Sequence, residues 1–327
     1  MTTPMTATAA PPPAPPSDAP SPPSSSLPAA PSLDRVADGV YAFVQPHGGW
    51  CLNNAGLVAG AGGAVLIDTA ATESRTRRLR EEVERIVPGG PDLVVNTHFH
   101  GDHTFGNGQF APRATIVAHE GTRADTAEAG LSMRGLWPAV EWGETPLTLP
   151  TLTFRDELTL HAGELAVELL HIGPAHTAND VVAWVPDRGV LFTGDVVWSG
   201  VTPFVLMGSI EGSLRALDRL RALGPRIVVP GHGPVGGPEL LAGTEAYLRL
   251  IRRLAEEGER DGLSPLEAAR RADLGEFAGW LDPERLVGNL HRAYAELRGL
   301  PHGSRIDVLG PFQEMAEYHG GLPDCHA

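Results

Sequence analysis

The sequence predicts an α/β fold in which two β-sheets pack face to face and helices cover the outside. Short apolar runs separated by turn residues occur in two series, over residues 40–68 and 147–197. Such runs are typical of neighbouring strands joined by tight turns. Segments with apolar residues at helical spacing follow each series. Because each sheet then has helices to cover one of its faces, a layered sandwich is the favoured architecture.

The first series contains three strands, a helix and a fourth strand. We expect strands at residues 40–44, 54–59, 64–68 and 92–95. Before the fourth strand, Leu79, Val83 and Ile86 recur at helical spacing in a segment that begins at Thr72 and ends at the sequence PGG.

The second series supplies the other sheet. Its strands are predicted at LTLPTLTF, ELTLH, LAVELLHI, DVVAWVP and GVLFTGDVV, with a further strand at RIVVPGHG. Helices are expected at residues 213–223 and 239–259, and residues 264–318 are expected to be helical in pieces. The last region begins with Ser264 and Pro265, a favourable helix start.

Charge and composition exclude several classes of function. The chain has 327 residues, with 25 basic against 40 acidic side chains and a net charge of −15, and it contains no lysine. A general nucleic-acid-binding or anionic-membrane surface is therefore not expected. No apolar run approaches the ~20 residues of a membrane span. The two cysteines do not form a disulfide framework, so a cytoplasmic protein is expected.

The chain divides into three predicted regions. Residues 1–33 are rich in proline, alanine and serine, and they are predicted to be a disordered tail because they lack apolar surface to bury. Residues 34–240 are predicted to form the αββα domain. Residues 241–327 are predicted to be a helical extension packed on that domain.

A cluster of histidines follows the predicted strand at residues 92–95. The sequence THFHGDH places His98, His100, Asp102 and His103 within six positions. Imidazole and carboxylate groups are the ligands that zinc prefers where no thiolate is present. Three further candidates follow other predicted strands: His176 in GPAHT, Asp195 in TGD and His232 in PGHG. Five histidines and two aspartates are enough for two metal sites.

These four motifs, in this order and with these separations, resemble the metallo-β-lactamase-fold hydrolase superfamily over roughly residues 34–240. The resemblance implies a four-layer αββα sandwich and two zinc ions, although such ligands also accept iron or manganese. It implies that His98, His100 and His176 bind one ion, that Asp102, His103 and His232 bind the other, and that Asp195 bridges both. Asp102 and His103 are then the predicted catalytic pair, acting with a hydroxide shared by the two metals.

Bulky apolar side chains gather in two segments that are expected to overhang the metals. LSMRGLWPAVEW and WSGVTPFVLMGS contain glycine and proline and do not keep helical period, so packing in the core and lining of a pocket both remain open. The pocket hypothesis assigns an apolar, aromatic-walled cavity to six residues: Met133, Trp137, Trp142, Trp198, Phe204 and Met207.

A closer resemblance concerns the segments GGWCLNNAGLV, GLWPAVEWGE, SGVTPFVLMGS, ADLGEFAGWLDPERLVGNLHRAYAEL and GGLPDCHA. They are similar to the second-ring cyclases of aromatic polyketide biosynthesis, the actinorhodin-type bifunctional cyclases. The resemblance implies aldol closure and dehydration of a polyketide carried on an acyl carrier protein, with possible hydrolysis of its thioester. The alternative is a dinuclear-zinc hydrolase of a small thioester or lactone.

A carrier protein as partner requires a local cationic surface, because such carriers are acidic like this chain. The arginine runs at residues 75–80 and 250–254 are the candidates. Glutamates are interleaved with both, so a solvated helix face remains the simpler interpretation. The helices within residues 282–318 are expected to cap the pocket or to form a homodimer contact.

Overall fold

The computed structural model describes residues 31–327, and in it two β-sheets pack against each other with helices on both outer faces. The predicted four-layer α/β sandwich with further helices towards the C-terminal end is confirmed. The predicted tail at residues 1–33 lies outside the described residues, except that the first strand begins at Ser32.

The first sheet has seven strands. They are β1 (Ser32–Ala37), β2 (Val40–Val44), β3 (Ala55–Gly60), β4 (Gly63–Ile67), β5 (Leu93–Asn96), β6 (Thr115–His119) and β7 (Leu152–Phe154). Neighbours along the chain are neighbours in the sheet. Strands β1 to β4 pair antiparallel, and β4 to β7 pair parallel.

The second sheet has five strands. They are β8 (Glu157–Ala162), β9 (Leu165–His171), β10 (Val181–Val185), β11 (Val190–Phe192) and β12 (Ile227–Val229). The order is β12-β11-β10-β9-β8. Only the β11–β12 pair is parallel. The carboxyl ends of parallel strands meet at one edge, so each sheet has an edge at which the loops after such strands come together.

Nine helices are present in residues 31–327. They are α1 (Glu73–Ile86), α2 (Gly101–Thr104), α3 (Asn107–Phe110), α4 (Glu120–Ala129), α5 (Ile210–Ala222), α6 (Glu239–Arg260), α7 (Pro265–Arg271), α8 (Arg285–Leu297) and α9 (Leu309–His319). Helix α1 begins where the Thr72 hydroxyl accepts a hydrogen bond from the backbone N–H of Arg75. None of these helices is both long and apolar enough to cross a bilayer.

Three apolar layers hold the sandwich together. Between the sheets, Ile67 and Val117 from the first sheet are buried with Leu169 and Phe192 from the second. Leu79 of α1 covers the outer face of the first sheet, within a separate buried cluster. Helices α5 to α9 cover the outer face of the second sheet in the third cluster. Each layer removes apolar surface from water, which stabilises by roughly 25 cal/mol per Å².

Helix α8 lies at the centre of the helices on the second sheet. Leu286, Val287 and Leu290 are fully buried, so one whole face of α8 packs into the core. Its Asn289 side chain accepts a hydrogen bond from the backbone N–H of Val205 and donates one to the backbone oxygen of Pro203. These bonds attach α8 to the loop between β11 and α5, which lies beside the histidine cluster.

Candidate metal centre and substrate pocket

Seven histidine and aspartate residues meet between the edges of the two sheets. His98 and His100 follow β5, Asp102 and His103 lie in α2, His176 lies in the β9–β10 loop, Asp195 lies in the short 3-10 segment Gly194–Val196, and His232 follows β12. Six of them are buried, and His100 is half-buried. The structure thus brings together every residue that the sequence proposed as a metal ligand.

The first group consists of His98, His100, His176 and Asp195. Nδ1 of His100 lies 3.2 Å from Nε2 of His98 and 2.8 Å from Nε2 of His176. One carboxylate oxygen of Asp195 lies 3.4 Å from Nε2 of His176. Four ligand atoms therefore converge on one small volume.

The second group consists of Asp102, His103 and His232. Nε2 of His232 lies 3.3 Å from Oδ2 of Asp102, and Nε2 of His103 lies 3.8 Å from that oxygen. Oδ1 of Asp195 lies 3.1 Å from Nε2 of His103. Oδ2 of Asp195, which lies near His176, is also 3.5 Å from Nε2 of His232, so this carboxylate lies between the two groups and within reach of both.

Hydrogen bonds behind the rings orient four of the five histidines. Nδ1 meets an oxygen in four of them: Thr97 Oγ1 for His98 at 3.1 Å, Asp68 Oδ2 for His103 at 2.8 Å, the Phe204 carbonyl for His176, and the Gly48 carbonyl for His232 at 2.9 Å. An Nδ1–H that donates to such an oxygen leaves the lone pair on Nε2, which points inward. The four rings are oriented as metal ligands are.

The unpaired atoms at the centre fit divalent cations. Nε2 of His103 and Oδ1 of Asp195 are buried, and within residues 31–327 no hydrogen bond of normal geometry satisfies either atom. Zinc lies about 2.0–2.1 Å from histidine nitrogens, so the ligand nitrogens of a tetrahedral site lie about 3.3 Å apart. The ring nitrogens of the first group are separated by similar distances. The donor set suits two zinc ions; the assignment of each residue to an ion stays a prediction.

The pKa directions differ between the two groups. Burial holds the pKa of His98 well below its usual value, and burial together with His176 lowers the pKa of His100 to about 3. Both rings are therefore neutral at pH 7. Neutral imidazole is the form that binds a metal.

Carboxylates reverse this direction in the second group. Burial alone would lower the pKa of His232, but Asp195 and Asp102 raise it to about 8. Burial likewise opposes the effect of Asp195 and Asp68 on His103, whose pKa is nevertheless raised well above its usual value. Burial would raise the pKa of Asp102, but His103 and His232 hold it at about 2. The negative field of this group attracts a cation, whether a proton or a metal.

Asp68 is a residue of the candidate site that the sequence analysis missed. It follows β4 and has a positive φ of 61°. Its carboxylate accepts hydrogen bonds from the Thr97 backbone N–H at 2.8 Å and from the Thr97 hydroxyl at 2.7 Å, besides its contact with His103. The available signal was its place at the carboxyl end of a strand parallel to β5.

A cavity of about 340 Å³ opens onto five of the seven candidate metal ligands, all except His98 and His103. Five of the six predicted pocket residues line it, namely Met133, Trp137, Trp198, Phe204 and Met207. The sixth, Trp142, is not among its lining residues. Trp142 packs behind Phe105, with ring centroids 6.0 Å apart, and donates to the Trp137 carbonyl. It supports the wall rather than forming it.

The cavity has further walls that the sequence analysis did not propose. Trp50 packs against both Trp137 and Phe204, with ring centroids 5.3 Å apart in each pair. Phe312 of α9 meets Trp137 edge-on at 5.9 Å. Arg285 of α8 also lines the cavity. The helices after residue 241 therefore build part of the pocket, as the capping alternative predicted.

Comparison with known families agrees with this geometry. The sequence model described as "Metallo-beta-lactamase superfamily" matches residues 48–232, which is more than half of the chain. The chain belongs to this superfamily. Its members commonly bind divalent metals, and the grouped histidines and aspartates could hold them. The family and the site together describe a metal-dependent enzyme of the hydrolase type.

Relatives within the superfamily have different reactions in their names. A hydroxyacylglutathione hydrolase of Methylococcus capsulatus is 33% identical over 234 residues, which cover 70% of this chain and 80% of the relative. A metallo-beta-lactamase type 2 of Bacteroides fragilis is 25% identical, over 65% of this chain and 84% of the relative. A linear primary-alkylsulfatase of Pseudomonas is 27% identical over 58% of this chain, and the match spans only 43% of that relative.

Solved structures of the superfamily share the fold. A metallo-beta-lactamase from Pontibacter korlensis superposes with a TM-score of 0.57 at 24% identity, covering 67% of this chain and 99% of that structure. The DIM-1 metallo-beta-lactamase gives 0.56 at 22% identity, with 68% and 99% covered. About a third of this chain thus has no counterpart in these structures.

Proposed function

We propose that this protein is a dinuclear-zinc hydrolase that cleaves a thioester or lactone whose acyl part is flat and apolar. The observation that supports this most directly is the cavity, in which a cluster of metal-ligand residues adjoins walls of Trp50, Trp137, Phe204 and Phe312. Aromatic faces favour flat partners, by about 0.5–1.5 kcal/mol per ring pair beyond area burial. The alkylsulfatase and hydroxyacylglutathione hydrolase relatives are hydrolases by name, which supports the reaction type.

The charge of the cavity favours an acyl group without a negative charge. Arg285 is the one arginine or lysine among the described residues that line it. Its side chain is buried, and it is already paired with Asp282 at 2.8 Å. A sulfate or carboxylate group on the substrate therefore meets no free cation in these walls. Burying a charged group without a compensating partner costs desolvation free energy, and an uncharged acyl group avoids this cost.

A second cavity, of about 380 Å³, supports a substrate with an extended leaving group. It shares Phe99, Ala129, Met207 and Val308 with the first cavity, so the two spaces adjoin. Away from these shared residues its lining is mixed, and it includes three charged side chains: Arg305 pairs there with Asp125 and Glu128. An acyl group in the aromatic cavity and a chain-like polar thiol in the second cavity would place the bond to be cleaved between them.

The residues at the centre support hydrolysis in defined roles. When bound, two zinc ions would supply an activated water and polarise the substrate carbonyl. Asp102 is ionised at neutral pH and lines the cavity, so its carboxylate can accept a proton from the attacking water. The hydrogen bonds on Nδ1 of His98, His103, His176 and His232 keep those rings from turning as charge develops.

The test compares acyl thioesters that differ only in the acyl part. Zinc-loaded protein is assayed with the naphthoyl and hexanoyl thioesters of N-acetylcysteamine, and release of the thiol is followed. We expect kcat/KM to be about tenfold higher for naphthoyl, because 1.4 kcal/mol of aromatic contact corresponds to that factor. Asp102→Asn should lose at least about a hundredfold in kcat, whereas His161→Ala, on the exposed face of β8, should keep the wild-type rate.

Equal values of kcat/KM for the two thioesters would contradict the argument that the aromatic walls favour a flat acyl group. Absence of hydrolysis with any thioester or lactone in the zinc-loaded protein would reject the proposed reaction.

A second candidate is the ring-closing aldol reaction of a polyketide bound to an acyl carrier protein. The observation that favours it is that α8 and α9, beyond residues 48–232, contribute Arg285 and Phe312 to an aromatic cavity. The segment ADLGEFAGWLDPERLVGNLHRAYAEL, which includes α8, carries part of the resemblance to second-ring cyclases. An enclosed apolar cavity can hold a folded chain with its ends together and away from water.

The carrier partner stays a proposal. The arginines of both predicted runs are largely paired with glutamates: Arg77 with Glu73, Arg78 with Glu82, and Arg253 with Glu257. A monocyclic polyketide thioester mimic distinguishes the candidates by mass spectrometry. Loss of water before or alongside release of acid supports the cyclase; release of uncyclised acid alone rejects it and leaves the hydrolase.

A further inference from the structure

Arg285, the first residue of α8, is an unusual side chain to find at an apolar wall. It is only 1% exposed. Its guanidinium donates to the Thr202 carbonyl at 3.0 Å and pairs with the carboxylate of Asp282 at 2.8 Å. Burying an arginine is costly unless its charge is compensated, and these two partners compensate it. The charge is therefore anchored, and the guanidinium is held in one place.

The anchored guanidinium lies against two indole rings. Its central carbon is 4.0 Å from the ring centroid of Trp50 and 4.7 Å from that of Trp198. Both distances are within the range of a cation–π contact, which is worth about 2 kcal/mol or more when desolvated. Trp50 is held from another side as well, because its Nε1–H donates to the buried carboxylate of Glu284 at 2.6 Å. Two consecutive residues thus position Trp50, and one of them also contacts Trp198.

Trp198 in turn touches the candidate metal centre at two points. Its ring stacks on the His232 imidazole, with centroids 4.6 Å apart and the planes within 10° of parallel. Its Nε1–H donates to the backbone carbonyl of Asp195 at 2.6 Å. His232 and Asp195 are both in the proposed ligand set, so the orientation of the Trp198 ring affects two ligands.

We propose that Arg285 is a positioning residue for the metal centre: it holds Trp198 flat against His232 and so sets the affinity for the ion bound by Asp102, His103 and His232. The inference rests on the metal site of the proposed function but not on the identity of the substrate. Arg285 lies 53 positions after His232 and outside the region that matches the superfamily. The helical extension would therefore contribute to metal binding as well as to the pocket.

The shape of the guanidinium is essential to this role. A planar guanidinium can lie against aromatic faces while its N–H groups reach Thr202 and Asp282 in fixed directions. An ammonium group keeps the charge but is a compact, strongly hydrated point that does not stack in this way. Arg285→Lys therefore separates the charge from the stacking contact.

The test measures metal binding directly. Metal-free wild type and Arg285→Lys are titrated with Co²⁺, followed by visible absorption, and with Zn²⁺ in competition with a chromophoric chelator. We expect the affinity for the second ion to fall by roughly 10–100-fold, as when a group that orients a metal ligand is lost. The first ion, held by His98, His100 and His176, should bind as in the wild type. Thioester hydrolysis should lose kcat through the metal centre, and KM should rise as well because Arg285 also holds Trp50, a wall of the substrate cavity.

Arg292→Lys is the matched control. Arg292 is also a fully buried arginine of α8, and it donates to the carbonyl groups of Leu206 and Ser304 rather than lying against Trp198. Its replacement should lower the unfolding temperature, as Arg285→Lys does, yet leave both metal affinities within about twofold of the wild type. The difference between the two variants isolates the stacking contact from the general cost of removing a buried arginine.

Three results would overturn the inference. The first is an unchanged affinity for the second ion in Arg285→Lys. The second is an equal loss of that affinity in Arg292→Lys. The third is an equal loss of affinity for both ions in Arg285→Lys. Should Arg285→Lys fail to fold, Trp198→Phe carries the same test, because the smaller ring loses the bond to Asp195 and part of the face over His232. Retention of second-ion affinity in that variant would equally reject the inference. A wild type without hydrolytic activity would reject the proposed function but leave these titrations interpretable.

Discussion

Asp68 illustrates how a residue outside the histidine motif controls it. Its carboxylate accepts two hydrogen bonds from Thr97 and meets Nδ1 of His103, which is fully buried. The same group fixes the backbone before His98 and the ring of a proposed ligand. Replacing it leaves the seven candidate ligands in the chain but removes the acceptor that orients one of them.

Asp68→Asn is expected to lower the affinity for the second metal ion, the one assigned to His103, by roughly 10–100-fold. The amide accepts less strongly from Nδ1–H of His103 and no longer favours the tautomer with the proton on Nδ1. Zinc competition with a chromophoric chelator measures the change. Asp92→Asn is the control, since the Asp92 carboxylate accepts only from the Ala64 backbone N–H at the opposite end of β4 and β5. Equal affinities in Asp68→Asn and the wild type would show that Asp68 has no orienting role.

The ligand candidates were predictable as single residues because their signal is local. His98, His100, Asp102 and His103 lie within six positions directly after an apolar strand. Arg285 was not predictable, because its partners Trp50 and Trp198 are far from it in the chain and each looks like an ordinary core residue. Contacts made by tertiary packing leave no spacing pattern in the sequence.

Among the elements, α9 adds a wall to the cavity that the two sheets do not supply. Phe312 is 9% exposed, lines the cavity, and meets Trp137 and Trp50 edge-on. After α9 the chain returns to the same wall, where the Pro323 carbonyl accepts a hydrogen bond from Nε1–H of Trp137 at 2.7 Å. The helix and this segment therefore shape the pocket without touching the metal-ligand residues.

Phe312→Ala is expected to lower the free energy of unfolding by about 3 kcal/mol, near the lower end for a buried phenylalanine because one side of the ring faces a cavity. It should also raise KM for the naphthoyl thioester about tenfold with kcat nearly unchanged. Thermal unfolding and steady-state kinetics measure the two effects.

Phe277→Ala separates packing from substrate contact. Phe277 is 8% exposed and packs on Tyr247 and Trp280, but it does not line the cavity. Phe277→Ala should lower the free energy of unfolding by a similar amount and leave KM unchanged. A KM increase of the same size in both variants would show that α9 acts only through stability.

Element boundaries differed from the sequence predictions for identifiable reasons. Helix α5 begins at Ile210 rather than at residue 213, because the Ser209 hydroxyl accepts the backbone N–H of Gly212 and caps the helix earlier. Of the predicted strand LTLPTLTF, only Leu152–Phe154 forms a strand, β7; residues 147–149 lie between Pro146 and Pro150, and proline lacks the N–H that a sheet requires. Strand β6 and helix α4 were not predicted at all.

At the scale of the molecule, the site depends on two sheets that face each other at the edges where the loops with the candidate ligands follow the strands. The first sheet contributes Asp68 and the motif after β5, and the second contributes the segment after β11 and the loop after β12. The layered class followed from the sequence because strand runs and helix runs alternate along the chain. The pocket did not follow, since it requires the packing of α8 and α9 on the sandwich.

The most direct measurement is the metal content of the purified protein together with its dependence on metal. Native mass spectrometry is combined with the naphthoyl thioester assay before chelation, after chelation and after zinc is restored. We expect two divalent ions per chain, hydrolysis reduced at least about a thousandfold in the metal-free protein, and recovery on addition of zinc. A metal-free chain that hydrolyses the thioester at the full rate, or a zinc-treated chain that binds no ion, would contradict the account.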